Sequence, residues 1–345
     1  MPDLEGADRS GDLARRGDGV SAPTIAEIDE LRRELEPHIV ETPVVECRAP
    51  ALLDALAPGT SVVIKLELMQ VTGSFKPRGA LANALRLDAA ERARGVTAVS
   101  AGNHAIAVAY AAKVVGAHAK VVMTETASPV RVSRCRALGA EVVLAPTAHD
   151  AFELVEQIAS DEGRTFIHPF ESLATVTGTA TVGAEWIRQA PDLEAVIVPI
   201  GGGGLAAGIS VAVKQLSPAC LVFGVEPRGA DSMTRSFVAG EPQAIERVAT
   251  IADSLGAPHA GAITFELCRR HLDNLVLVDD DELRAAMRVL FDGAKLAVEP
   301  AGAAAAAALL GPLRERLAGK RVGIIACGAN IDPESFARHL GVDRQ

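Results

Sequence analysis

The chain has 345 residues, with 34 Lys and Arg against 44 Asp and Glu for a formal charge of −10; its surface field repels phosphodiester backbones and anionic lipid and argues against nucleic-acid or membrane partners. Apolar residues make up 49% and charged residues 23%, enough for a buried core and against general disorder, and the length fits two domains of about 150 residues each. Aromatics are only 3%, with one Trp and one Tyr, so the core is aliphatic and Ala-rich.

Residues 1–23 show no apolar periodicity and are expected to form a flexible tail ending at Pro23; they also lack the apolar segment of a secretion signal. A helix capped by Thr24 is predicted over 24–35. Strands follow at 62–66, 96–99, 120–123, 141–144, 195–200, 221–225, 275–278 and 322–326, with helices at 103–115, 129–138, 148–160, 281–294 and 301–317. This alternation predicts an α/β architecture with mainly parallel sheets, and runs apolar at every position fit strands covered on both faces. The uncharged stretch 195–213 is long enough to raise a membrane span, but Pro199 and the glycines at 201–204 break it into strand, loop and helix. Cys47, Cys135, Cys220, Cys268 and Cys327 are scattered without metal-ligand spacing, which suits a reducing cytoplasm.

Chemistry concentrates where α/β proteins place ligands, just past strand ends. Gly201, Gly202, Gly203 and Gly204 leave backbone N–H groups unobstructed before a helix starting at Leu205, an arrangement suited to a phosphate. Gly201, Gly203 and Ala206 also satisfy GxGxxA, and Glu226 ends the next strand where a dinucleotide ribose acceptor belongs, so an NAD(P)-dependent oxidoreductase is a competing reading, as is a non-catalytic ligand-binding protein. In Ser74-Phe75-Lys76-Pro77-Arg78-Gly79, Ser74 is expected to cap a helix with Lys76 in its first turn. There the helix dipole lowers the lysine pKa and favours attack on an aldehyde.

Four motifs occur in order: Ser74-Phe75-Lys76 with Arg78-Gly79, Ser100-Ala101-Gly102-Asn103-His104, Gly201 to Leu205, and Cys327-Gly328-Ala329-Asn330. Over about residues 25–340 the chain resembles the fold-type II pyridoxal-phosphate enzymes, a tryptophan synthase β-like fold, and among them the threonine/serine dehydratase and serine racemase family. The resemblance implies that Lys76 bonds pyridoxal 5'-phosphate, Phe75 lies beside it, Asn103 binds its phenolic oxygen, Gly201, Gly202, Gly203, Gly204 and Leu205 hold its phosphate, and Cys327 meets its pyridine nitrogen. It further implies that Ser100, Ala101, Gly102, Asn103 and His104 clamp the substrate carboxylate and that Glu299 sits near the ring.

The implied reaction is β-elimination from L-threonine or L-serine, giving a 2-oxo acid and ammonia. A thiol at the ring nitrogen makes a shallower electron sink than a carboxylate would, which suits elimination. Racemases of the family carry Ser where this chain has Ala101, so racemase activity is expected to be weak or absent; His168-Pro169-Phe170 also looks more like threonine deaminases. Other β-hydroxy amino acids and a hydroxyectoine-type substrate stay open, the latter through the departure at Ala252-Asp253-Ser254-Leu255-Gly256. Gly178-Thr179-Ala180-Thr181 departs from the family's GQGT. A divalent cation (Mg or Ca) would use Glu226 and the Ala230 carbonyl, but the third ligand falls on Ser232, next to Asp231. The expected domains are 24–84 with 171–345 as a large cofactor-binding unit and 85–170 as an inserted small one. A homodimer or homotetramer, a cytoplasmic location and no C-terminal regulatory domain complete the expectations.

Overall fold

The computed structural model describes residues 19–100 and 102–342. Of the expected tail, residues 1–18 lie outside those described, and from Val20 the chain is tied down: its amide donates to Glu266 at 2.9 Å and its carbonyl accepts from Arg270 at 3.0 Å. The first half carries α1 (Ile25–Leu35), β1 (Val44–Glu46), α2 (Pro50–Leu53), β2 (Ser61–Lys65), α3 (Lys76–Ala84), α4 (Ala89–Arg94), β3 (Val96–Val99), α5 (Asn103–Val115), β4 (Ala119–Thr124), α6 (Pro129–Ala137), β5 (Glu141–Ala145), α7 (Ala148–Glu162) and β6 (Thr165–Phe166). The second carries α8 (Leu173–Gln189), β7 (Ala195–Pro199), α9 (Gly204–Leu216), β8 (Leu221–Pro227), α10 (Ser232–Ala239), α11 (Ala262–His271), β9 (Asn274–Val278), α12 (Asp280–Ala294), α13 (Pro300–Leu310), β10 (Arg321–Ile325) and α14 (Pro333–His339).

Six strands form a sheet in the order β1-β2-β10-β7-β8-β9, parallel except for the edge pair β1–β2. Four form an all-parallel sheet, β5-β4-β3-β6. The expected α/β class is therefore present. Every residue of β7 is buried, because α9 packs against it and so does the Ala-rich α13, whose small side chains let a helix buried from Pro300 to Leu309 lie close to the sheet. Where a helix over 301–317 was expected, α13 stops at Leu310, since Gly311 and Pro312 end it. The uncharged stretch 195–213 resolves into β7, a loop and α9, and among the described residues no helix is long and apolar enough to cross a membrane.

Helix α8 had no strong signal in sequence, because its segment is rich in Thr and Gly. Its threonines satisfy themselves along the helix, Thr177 donating to Leu173 O at 2.8 Å and Thr179 to Thr175 O at 3.1 Å. Its glycines are contact points: a Cβ on Gly178 would lie 2.4 Å from Arg78 O, and one on Gly183 2.8 Å from Ile209 O. Helices α3, α8 and α9 thus pack almost backbone to backbone, and two of them begin at the site.

Candidate active site

Helix α3 begins at Lys76, but Ser74 does not cap it. The residue before the helix is Phe75, in helical conformation and without a side-chain cap, while Ser74 forms an antiparallel bridge with Gly328. Committed to that pairing, Ser74 holds its hydroxyl buried without a partner instead of turning it to the helix N–H groups. The lysine itself is still in the first turn. Its Nζ donates to Pro169 O at 3.0 Å and stands 5.1 Å from the Phe75 ring centroid. Burial lowers its pKa to about 8, against the pull of Cys327 and Glu299.

Two residues on, Arg78 is fully buried and fixes this turn. It reaches Glu67 through Nε and NH2, both at 2.9 Å, and Glu185 through NH1 at 2.7 Å and NH2 at 2.8 Å. Lys65 Nζ adds a contact to Glu185 at 3.1 Å. Two cations and two carboxylates share one dry volume, so no charge is left uncompensated there.

The second motif opens α5. Ser100 Oγ accepts from Gly102 N at 3.1 Å; Ala101 lies outside the described residues. Asn103 is held at both ends, Nδ2 donating to Glu299 Oε1 and Oδ1 accepting from Asn330 Nδ2, each at 2.6 Å. His104 Nε2 lies 2.8 Å from Ile167 O, and burial depresses its pKa to about 3, so it is neutral. His168 is neutral as well, at about 4 through burial and the nearby His259 and Lys76. Asn330 stitches the fourth motif to the first by donating to Thr72 O at 2.8 Å.

Glu299 and Cys327 are both buried next to these groups. Burial pushes the Glu299 carboxyl up to about 7 despite Arg131, whose NH2 stands 3.6 Å from Oε2. Burial also holds the Cys327 thiol above its ordinary range, and its Sγ lies 3.5 Å from Ala301 O. The Cys327 side chain is therefore a neutral thiol.

The glycine run precedes α9, which starts without a side-chain cap after Gly203 at φ +93°. Protein packing also demands these glycines: a Cβ on Gly202 would fall 2.2 Å from the Phe170 ring, and one on Gly203 2.7 Å from Met233 Cε. Gly202 lines the cavity, while Leu205 belongs to the core behind it. Glu226, read as a ribose acceptor or a cation ligand, spends both oxygens on α10: Oε1 accepts from Met233 N at 2.8 Å, Oε2 from Thr234 N at 2.7 Å and Thr234 Oγ1 at 2.6 Å. Ala230 is buried just before that helix, and among the described residues no group of three or more His, Cys, Asp or Glu is placed to hold a metal.

A cavity of about 230 Å³ brings Lys76, Ser100, Gly102, Asn103, His104 and Gly202 together. Its other lining includes residues that sequence reasoning missed. Arg131 of α6 reaches across to Asp253 at 2.5 Å and to Asn330 O at 3.0 Å, and Arg134 bonds Asn330 Oδ1. Nothing in an arginine-rich surface helix distinguishes Arg131 in sequence; only its partners 122 and 199 residues away do. Phe152 of α7 is another, a lone aromatic in an amphipathic helix.

These residues suit pyridoxal phosphate. An uncapped helix N-terminus behind glycines suits a phosphate, an amine of lowered pKa suits an aldehyde, and the orphaned Ser74 Oγ leaves a buried polar atom awaiting a partner.

Compared with known proteins, the sequence matches the family described as pyridoxal-phosphate dependent enzyme over residues 35–328. It is 56% identical over 325 residues to phenylserine dehydratase of Ralstonia pickettii, covering 94% of this chain and 98% of that one. It is 38% identical over 316 residues to L-threonine ammonia-lyase of Thermotoga maritima, covering 91% of this chain and 77% of that one. The structure of maize serine racemase superposes with a TM-score of 0.86 at 32% identity, covering 93% of this chain and 99% of that one.

Proposed function

The chain belongs to the pyridoxal-phosphate dependent enzymes, and from that premise we propose that it is a dehydratase of β-hydroxy amino acids, releasing a 2-oxo acid and ammonia. The observation that carries the reading is the half-buried Lys76 amine, of lowered pKa, lining one cavity with Ser100, Asn103 and Gly202. Phenylserine and threonine, named by two relatives, are both β-hydroxy amino acids; L-serine shares the leaving group.

Pyridoxal phosphate, when bound, supplies an electron sink for the bond broken at the substrate Cα. In this reading Lys76 would hold the aldehyde carbon, Asn103 the phenolic oxygen, Gly201, Gly202, Gly203 and Gly204 with Leu205 the phosphate, and Phe75 and Glu299 would flank the ring. Cys327, a neutral thiol, would face the ring nitrogen without protonating it. Ser100, Gly102, Asn103 and His104 bind the substrate carboxylate at the start of α5, and neutral His104 adds no charge to compete with Lys76. The free Lys76 amine, neutral in a useful fraction near pH 7, takes the α-proton. Ala101, where racemases of the family carry Ser, has no side-chain proton to donate, which favours dehydration over racemisation.

The proposal divides the chain into a large unit, 24–84 with 171–345, and an inserted unit, 85–170; all strands of the four-stranded sheet fall within the latter. Five unbridged cysteines support a cytoplasmic setting, and exposed Val40, Met69 and Val71 around Gln70 support a homodimer or homotetramer. Lys76→Ala should abolish 2-oxo acid formation by cofactor-loaded protein; a variant that keeps wild-type turnover would contradict the reading.

A further inference from the structure

The cavity lining divides by chemistry: Lys76, Ser100, Asn103 and His104 are among its polar members, whereas Val99 at the end of β3, Val122 on β4 and Phe152 on the second turn of α7 come from one apolar cluster and make an apolar wall, with Pro258 a further apolar lining residue. Behind the apolar wall lies a small core of Val99, Val122, Ala145, Ala151, Val155 and Ile158, with Phe152 packed against it and only partly covered. That core does not close beneath the cavity; it runs into it. The ring sits on a fixed support, because Thr147 and Asp150 form a reciprocal cap that anchors α7 one turn earlier.

Resting on the dehydratase reading, we propose that Phe152, with Val99, Val122 and Pro258, forms a side-chain subsite that selects an aryl group on the substrate β-carbon. A hydrogen, as in serine, or a methyl, as in threonine, leaves the partly exposed Phe152 ring uncovered, whereas an aryl group covers it and can pack edge to face on it, with the already buried Val99 and Val122 backing the ring. A β-carboxylate finds no cation on this wall, since the Arg131 guanidinium is already engaged by Asp253 and Asn330. Polar discrimination thus belongs to one wall and side-chain size to the other.

The test uses the cofactor-loaded protein and its Phe152→Leu and Phe152→Ala variants. Two readouts are taken: kcat/KM for phenylserine, L-threonine and L-serine, and the inhibition constants of L-phenylalanine and L-alanine, which have no β-hydroxyl to lose and so report binding alone. The wild type should favour phenylserine over threonine by about tenfold or more, the discrimination one apolar subsite supplies. Phe152→Ala should reduce that ratio by about tenfold and weaken L-phenylalanine more than L-alanine, with Phe152→Leu between them. Unaltered ratios for both substrates and both inhibitors in the two variants overturn the subsite. If serine or threonine is dehydrated but phenylserine is not preferred, the inference falls and the dehydratase reading stands. If the loaded protein turns over none of the three, both fall.

Discussion

Lys76 meets two demands that pull against each other: a buried ammonium is costly, yet the amine has to be reached by an aldehyde. Burial resolves this by lowering its pKa to about 8, so capture of pyridoxal phosphate by the apoprotein should accelerate as pH rises towards 8 and then level off. A stopped-flow rate flat from pH 6 to 9 would contradict the assignment. Glu299 shows the opposite sign. Its folded pKa is raised from 4.5 to about 7, so its contribution to stability is present below pH 4.5 and lost as pH rises through 7. Glu299→Gln apoprotein should therefore melt close to the wild type at pH 5 and above it at pH 8; a difference that does not vary with pH would refute this. At this scale the sequence showed what is local. Lys76, Asn103 and the glycines stand in short motifs, whereas Arg131 and Phe152 are single residues that only the tertiary fold brings to the cavity. Ser74 misled because a capping residue type had been taken up by a bridge to Gly328.

Among the elements, α5 matches its expected bounds and β3 does too, because hydrophobic patterning and the flanking Gly and Ser residues agree there. Helix α8 is the contrast. Its Thr and Gly content opposes helix on propensity, and tertiary contact with α3 and α9 overrides it. The cost of disturbing that contact can be measured. A Cβ on Gly208 would lie 2.1 Å from Thr179 Oγ1 and 2.6 Å from Ala180 N, so Gly208→Ala should lose about 1–3 kcal/mol or more by overpacking. Gly293 in α12 meets only ordinary contacts, the nearest Ala49 Cβ at 3.4 Å, and Gly293→Ala should gain about 0.5–1 kcal/mol. Denaturant unfolding of both variants checks the pair; equal effects would show that helix propensity, not helix contact, sets stability here. The buried Arg78 cluster belongs to the same contact, joining α3 to α8 through Glu185, and Arg78→Ala, which strands the buried Glu67 carboxylate and leaves Glu185 to Lys65 alone, should cost about 3–5 kcal/mol.

At the scale of the whole molecule, two sheets flank one cavity, and Arg131 spans it from α6 to Asp253 and Asn330. Asp253→Asn removes the charge that holds Arg131, so amide exchange in α6 and β4 should quicken while α8 and α9 keep their protection; a uniform change would place the clasp in general stability instead. Alternation of strands and helices made the α/β class legible, but not which strands share a sheet, because order within a sheet depends on crossovers that leave no local mark. Dehydration is read out by supplying L-serine, L-threonine and phenylserine to the cofactor-loaded protein and quantifying ammonia, 2-oxo acid and, from serine, the D-enantiomer. A dehydratase forms ammonia and 2-oxo acid in equal amounts with little or no D-serine; loaded protein that forms no 2-oxo acid from any of the three, or that accumulates D-serine rapidly, would contradict the assignment.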